Sequence, residues 1–286
     1  MRPDTLIADY DDVASFLESA AMRPARHSLN QDAVDDYHTG GRAARGARGG
    51  QAAWTGLNDN ELGVTSFDGV ARIARQGWPR GLQRLQAALG ALAPDMAPPR
   101  DVKRRLRWAD QGDMLDMQRV YCGQLDSAWR KTARTECRAP RRITLAANCN
   151  IQAAAPSDWL FWRGAAVARA AELLEDAGFS VRILYVYSGR NDETGEDSVA
   201  SVCIKAFGAP IDLLGIASTL CLPAFTRVLA FAWRASHALT RVPFHGMAPR
   251  KQVPRSVAAD FYCDDANNQA VAEAWIRATV AEVNNG

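Results

Sequence analysis

Lysine and histidine are scarce in this 286-residue chain: lysine stands only at 103, 131, 205 and 251, and there are four histidines. No Gly-x-Gly-x-x-Gly follows an apolar run, and neither Gly-Lys-Ser nor Gly-Lys-Thr occurs, so the glycine cradles that hold dinucleotides and nucleoside triphosphates are missing. The six cysteines, at 122, 137, 149, 203, 221 and 263, form no Cys-x-x-Cys pair and sit at no zinc spacing from a histidine. Scattered single cysteines fit a reducing compartment better than a disulfide framework. Ser188-Gly189 lacks the Gly-x-Ser-x-Gly pattern of a nucleophile elbow. There is no charged-then-apolar leader. The longest apolar region, 211–233, is broken by Asp212, Pro223 and Arg227, so no bilayer span is expected.

What is present is an ordinary globular composition, 48% hydrophobic and 23% charged, with a net charge of +2. A core can form, and no bulk electrostatic pull toward nucleic acid or membrane follows from so small a charge. Residues 101–142 are locally basic, with eleven Lys or Arg against six Asp or Glu, and 241–255 is a proline-containing basic loop. Residues 39–50 form a Gly/Arg low-complexity break, which reads as a flexible loop.

The periodicities predict an N-terminal helical region over 1–100 and an α/β domain over 101–286. In the first, a helix is expected over 9–22, with Val13, Phe16, Leu17 and Ala20 on one face. A helical hairpin follows: Ser66 caps the first helix, Gly77 ends it and Pro79 opens the second, which runs to Leu92. In the second, short turns or helices are expected over 116–123 and 126–130. Strands are expected over 142–148, 181–187, 199–207 and 258–263, and helices over 159–177, 211–220, 223–239 and 269–283. Residues 188–197 read as a polar turn.

The order strand, polar loop, helix, strand over 141–189 is the parallel β-α-β unit, whose first loop lies at the sheet edge where such folds bind ligands. That loop carries Asn148, Asn150 and Gln152 at alternate positions. Asn148-x-Asn150-x-Gln152 stands where von Willebrand factor A domains carry an Asp-x-Ser-x-Ser metal loop, and Gly164 to Gly178 with the next strand resembles that fold's first helix and second strand. The order of motifs also resembles an uncharacterised family of phage-encoded proteins. Its marks here are Gln76-Gly77-Trp78-Pro79-Arg80-Gly81, Arg163-Gly164-Ala165-Ala166 and the run from Leu222 to Phe231. The resemblance implies a Rossmann-like sheet of degenerate von Willebrand factor A type, flanked by helices, in a phage setting. It implies no mechanism. Asn148 is neutral where the metal loop has its first acid, and hard divalent cations want carboxylate oxygens. No metal or other cofactor is therefore expected, although Asp158 or Asp192 could approach from adjacent loops.

Cys149 has no evident base beside it and reads as a small buried residue. Arg227, set among Phe225, Val228, Leu229 and Phe231, reads as a snorkelling arginine or the partner of a buried acid such as Asp212. With no catalytic constellation, the expected function is a non-enzymatic phage binding or adaptor protein. It would hold a protein partner through sheet-edge loops, with Asn148, Asn150, Gln152 and Asp192 as the binding loop. The alternative is a nucleic-acid-associated protein of phage replication or packaging, contacting anions through Arg104, Arg105, Arg250, Lys251 and Arg255. The expected location is the host cytoplasm, or the virion.

Overall fold

A computed structural model describes residues 5–22, 66–92, 106–112, 114–132, 141–150, 156, 158–191, 195–237, 247–249 and 254–285. Its centre is a mostly parallel sheet built on β5 (Arg142–Asn148) and β6 (Ser180–Asn191), which pair in parallel with Ile143 opposite Val181 and Asn148 opposite Val186. Helix α5 (Asp158–Asp176) connects them, so the strand–helix–strand order read from the sequence is the observed one. All of β5 except Arg142 is buried, which is why it reads as mostly apolar on both faces, with only Thr144 and Asn148 polar: a central parallel strand is covered on both sides. On one side β9 (Phe261–Cys263) joins β5 in parallel. On the other, β7 (Asp197–Lys205) runs antiparallel to β6, and β1 (Thr5–Tyr10) adds in parallel to β7. The path is β1-β7-β6-β5-β9, with β8 (Met247–Pro249) pairing the far end of β6.

Helices cover one face of this sheet. Inward residues Leu145, Ala147, Ile183, Tyr185 and Val202 share a single core with α1 (Val13–Ala21), α2 (Phe67–Gln76), α3 (Pro79–Ala91), α5 and α8 (Gln269–Asn285). Side chains from Phe16 to Val283 meet there. The alternate residues Ala146, Leu184, Val186 and Val199 point to the opposite face and form a smaller cluster with Val257. The α2–α3 hairpin follows its sequence signals. Ser66 Oγ accepts from Gly69 N, Gly77 takes φ +92° and donates to the Ile73 carbonyl at 2.8 Å, and Pro79 opens α3. A β-carbon at Gly77 would also strike Leu214, so the turn needs glycine for both its backbone and its packing.

Several local expectations change. Residues 5–10 form an edge strand, and the first helix starts at Val13, directly after its cap Asp12, whose side chain accepts from Ser15 N at 2.7 Å, rather than at Asp9. Residues 188–191 continue β6 instead of turning, because Gly189 and Arg190 pair with both β7 and β8. The helix expected from Pro223 is present over 223–237 but is π-helical over Phe225–Ala230 before continuing as α7 (Phe231–His237); α6 (Leu213–Thr219) precedes it with Asp212 as cap. Residues 106–132 form a separate three-stranded sheet, β2 (Leu106–Ala109), β4 (Trp129–Thr132) and β3 (Met114–Leu115), with the short helix α4 (Met117–Tyr121) between β3 and β4. The Trp129–Thr132 segment is thus extended where a helix over 126–130 was expected.

Candidate functional site

At the carboxyl end of β5 the chain must leave the sheet with its peptide groups still buried, and buried N–H and C=O groups need partners. Asn148 and Asn150 supply several of them. Asn148 Oδ1 accepts from Asn150 N at 3.0 Å, closing a local side-chain turn, and Asn148 Nδ2 donates to Asp264 Oδ1 just beyond β9 at 3.3 Å. Asn150 exchanges two hydrogen bonds with Ser188 of β6, Nδ2 to Oγ at 2.8 Å and Ser188 N to Oδ1 at 2.7 Å. The two asparagines therefore bind the loop to the strands on either side of β5. They are 1% and 6% exposed, so their amides face the protein rather than solvent.

The carbonyls are held from the helix and π-helix side. Arg163, in the second turn of α5, donates from Nη1 to the Asn148 carbonyl at 2.6 Å and to the Asn150 carbonyl at 3.0 Å. The Cys149 carbonyl between them accepts from Thr226 Oγ1 at 3.1 Å, and Tyr185 OH lies 2.9 Å from that same hydroxyl. The Cys149 amide donates to the Val186 carbonyl at 2.9 Å. Three consecutive carbonyls are thus met by one buried guanidinium and one hydroxyl. A positive charge sits inside the loop, on oxygen ligands, supplied by the chain itself.

Three buried thiols lie near this end of the sheet. Cys149 and Cys263 both feel the Arg163 charge, and Cys221 Sγ packs directly on the α-carbon side of Gly164, where an added β-carbon would lie 2.3 Å from it. Burial pushes the Cys149 and Cys221 thiols well up and Cys263 up to about 12, against a smaller downward pull of Arg163 on Cys149 and Cys263. They are packing residues carrying protonated sulfur, as expected for Cys149, and no nucleophile is prepared here. Further along, Arg234 faces Tyr187 and Gly189; burial raises the Tyr187 hydroxyl and the adjacent guanidinium opposes that rise. Arg227 lies in the π-helical stretch at 1% exposure, so it does not snorkel to solvent, and burial lowers it to about 10.

Of the residues singled out from sequence, Asn148 and Asn150 come together in this network, with Asp158 at the exposed start of α5, paired at 2.7 Å with Arg84. Gln152, Asp192, Arg104, Arg105, Arg250 and Lys251 lie outside the described residues. Arg255 is exposed and stacks 4.1 Å over the Tyr262 ring. Sequence reasoning quoted Arg163 and Thr226 only within family motifs and Ser188 only as a rejected nucleophile, and it assigned none of Arg163, Ser188, Thr226 or Asp264 to the loop. The available signal was an arginine on the buried stripe of α5, beside Gly164. Among the described residues no group of three or more His, Cys, Asp or Glu side chains could hold a metal ion, and no helix is long and apolar enough to cross a membrane.

A second surface is apolar. Around the small three-stranded sheet, Trp108, Met114 and Leu115 on its strands, Met117 and Tyr121 on α4, and Leu125 after it are exposed, and Arg119 and Arg130 stack on the Trp108 ring at 3.8 and 4.7 Å.

No curated protein and no solved structure shows a significant match to the chain. A family model, described as "Domain of unknown function (DUF7192)", matches residues 2–265, nearly the whole chain, and the protein belongs to that family.

Proposed function

We propose that this family member is a non-enzymatic binding module of von Willebrand factor A type, in which an internal arginine stands in for the loop cation. In this reading it works as an adaptor for a protein partner in a phage-infected cell. The observation that carries this reading is Arg163 Nη1 on the carbonyls of Asn148 and Asn150. A guanidinium supplied by the chain gives the loop a fixed shape without a bound ion. Asn148 and Asn150 then act as the frame of the binding loop, and the partner meets the outer surface around it, where Asp265 is exposed directly after Asp264. The buried amides and protonated thiols offer no acid–base pair or activated nucleophile, which supports binding over chemistry. The exposed apolar side chains of the 106–132 sheet also favour a protein partner, since clustered exposed apolar groups commonly mark protein contacts.

The test is site-specific photo-crosslinking in infected cells, with the photoreactive residue placed at Asp265 and, as a control, at the exposed Arg72 of α2. The proposal expects one discrete protein adduct from position 265 and none from position 72. Equal or absent adducts at the two positions would remove the carboxyl-end loop from the binding surface.

A further inference from the structure

The opposite, amino end of the same strands carries a different arrangement. Arg141 and Arg142 enter β5, and both are exposed. Arg182 lies on the neighbouring strand β6, half-buried, with Thr144 as its register partner, so Arg142 and Arg182 are two residues apart along adjacent strands and on the same face. Strand spacing and rise put their α-carbons roughly 8 Å apart. Each of the three guanidiniums lies against a phenylalanine: Arg141 over Phe179 at 5.9 Å, and Arg142 and Arg182 both over Phe207 at 5.2 Å.

The three arginines make no ion pair among the described residues, and Arg182 Nε is buried there without a hydrogen-bond partner. Acids do stand at this end. Glu175 is engaged by Lys205, Asp176 is exposed at the last turn of α5, and Asp11 and Asp12 act on Cys203 beside Arg182. None of them pairs with the three arginines among the described residues. In sequence, Arg134 and Arg138 precede the patch.

Stacking on an aromatic ring uses the flat face of a guanidinium and orients its in-plane N–H groups outward. Those donors match phosphate oxygens, which accept two parallel hydrogen bonds from a guanidinium. We infer that Arg142 and Arg182 on one face of the sheet, with Arg141 beside them at the strand end on the alternate face, form a contact site for the phosphodiester backbone of a nucleic-acid duplex. The site reads no sequence, because it presents phosphate-matching donors and no side chain shaped for base edges. It does not favour single strands, because arginines already cover the Phe179 and Phe207 rings on which unpaired bases would stack. This site is independent of the protein-partner surface proposed above, which lies at the other end of β5.

The experiment is fluorescence anisotropy with the full chain, using labelled 20-base-pair DNA and RNA duplexes and a single-stranded oligonucleotide of the same length, over a series of salt concentrations. Binding of either duplex supports the site, and comparing the two identifies which nucleic acid supplies the phosphates. Replacing Arg141, Arg142 and Arg182 together by Gln should weaken duplex binding at least tenfold at low salt. It should also reduce the slope of log K against log salt by about 2 to 3, one condensed-counterion contribution per lost contact. Because Arg182 is half-buried, the double variant Arg141→Glu/Arg142→Glu, confined to exposed positions, repeats the test with folding checked by circular dichroism. Arg72→Gln/Arg75→Gln on α2 removes two exposed charges elsewhere and should leave binding within twofold. Overturning results are no duplex binding at low salt, equal loss in the α2 control, tighter binding of the single strand than of either duplex, or a poly-glutamate competitor that displaces the duplex at equal charge concentration.

Discussion

The two ends of β5 use arginine in opposite ways. At the carboxyl end, Arg163 is buried and spends Nη1 on two of the protein's own carbonyls. At the amino end, Arg141 and Arg142 are exposed with their faces on phenylalanine rings and no acid paired to them among the described residues. The same side chain therefore closes one end of the sheet and opens the other. A buried guanidinium carries a desolvation cost that only good hydrogen bonds offset, and removing it leaves its partners stranded. An exposed one contributes little to stability and is available to a ligand.

The sharpest way to break this contrast is Arg163→Met, which keeps volume but strands the Asn148 and Asn150 carbonyls. It should lower stability by about 2 to 6 kcal/mol in urea unfolding, since each of the two buried carbonyls left without its donor costs about 1 to 3 kcal/mol. A loss under about 1 kcal/mol would mean the guanidinium is not what holds the loop.

Alkali probes the same end through its thiols. Burial raises Cys149, Cys221 and Cys263 above the ordinary value of 9.0. A raised folded value means the stabilisation is complete below pH 9 and is lost as pH climbs, for Cys263 over the window from 9 to about 12. Each thiol should remove about 1.4 kcal/mol per pH unit in that window, as the unfolded chain sheds protons that the folded one keeps. Unfolding at pH 8 and 10 measures this, and the triple replacement of these cysteines by alanine should flatten the profile. A profile that keeps its slope in the triple variant would assign the effect elsewhere.

A smaller change tests packing beside the cation. Gly164→Ala would place a methyl 2.3 Å from Cys221 Sγ, and overpacking of this kind costs about 1 to 3 kcal/mol. Combining it with Cys221→Ala should recover part of that loss, and additivity of the two changes in thermal melts would show that they do not touch.

The smallest expected stability effect belongs to the amino end. Arg142→Gln should change stability by less than about 0.5 kcal/mol, as exposed substitutions do, while duplex binding weakens. A large destabilisation without loss of binding would invert the comparison.

The β5–α5–β6 unit was legible in sequence because its signals agree: a mostly apolar run, a helical stripe ended by Gly178 and a second apolar strand. Edge elements were not. Thr5–Tyr10 runs into the helix pattern that follows it, and only its pairing with β7 makes it a strand. Residues 188–191 look like a turn by composition, and tertiary pairing on both sides extends them. The site was half legible. The strand end fixed where Asn148 and Asn150 would lie, but the direction of their amides depends on Ser188 and Asp264, remote in the chain. Arg163 was noticed only as part of a motif; its role was not legible because a single charge on an apolar helix reads first as a polar-face residue, and its target, two loop carbonyls, has no side-chain signature.

The claim that an internal arginine does the work of a loop cation is tested most directly by thermal unfolding of the wild-type chain in EDTA and in millimolar magnesium or manganese. Anything that binds only the folded state must raise the melting temperature. With Arg163 Nη1 already on the Asn148 and Asn150 carbonyls, the melting temperature should be the same in all three conditions. A clear rise with either metal that disappears in Asn148→Ala would show that the loop takes a cation after all and would contradict the account.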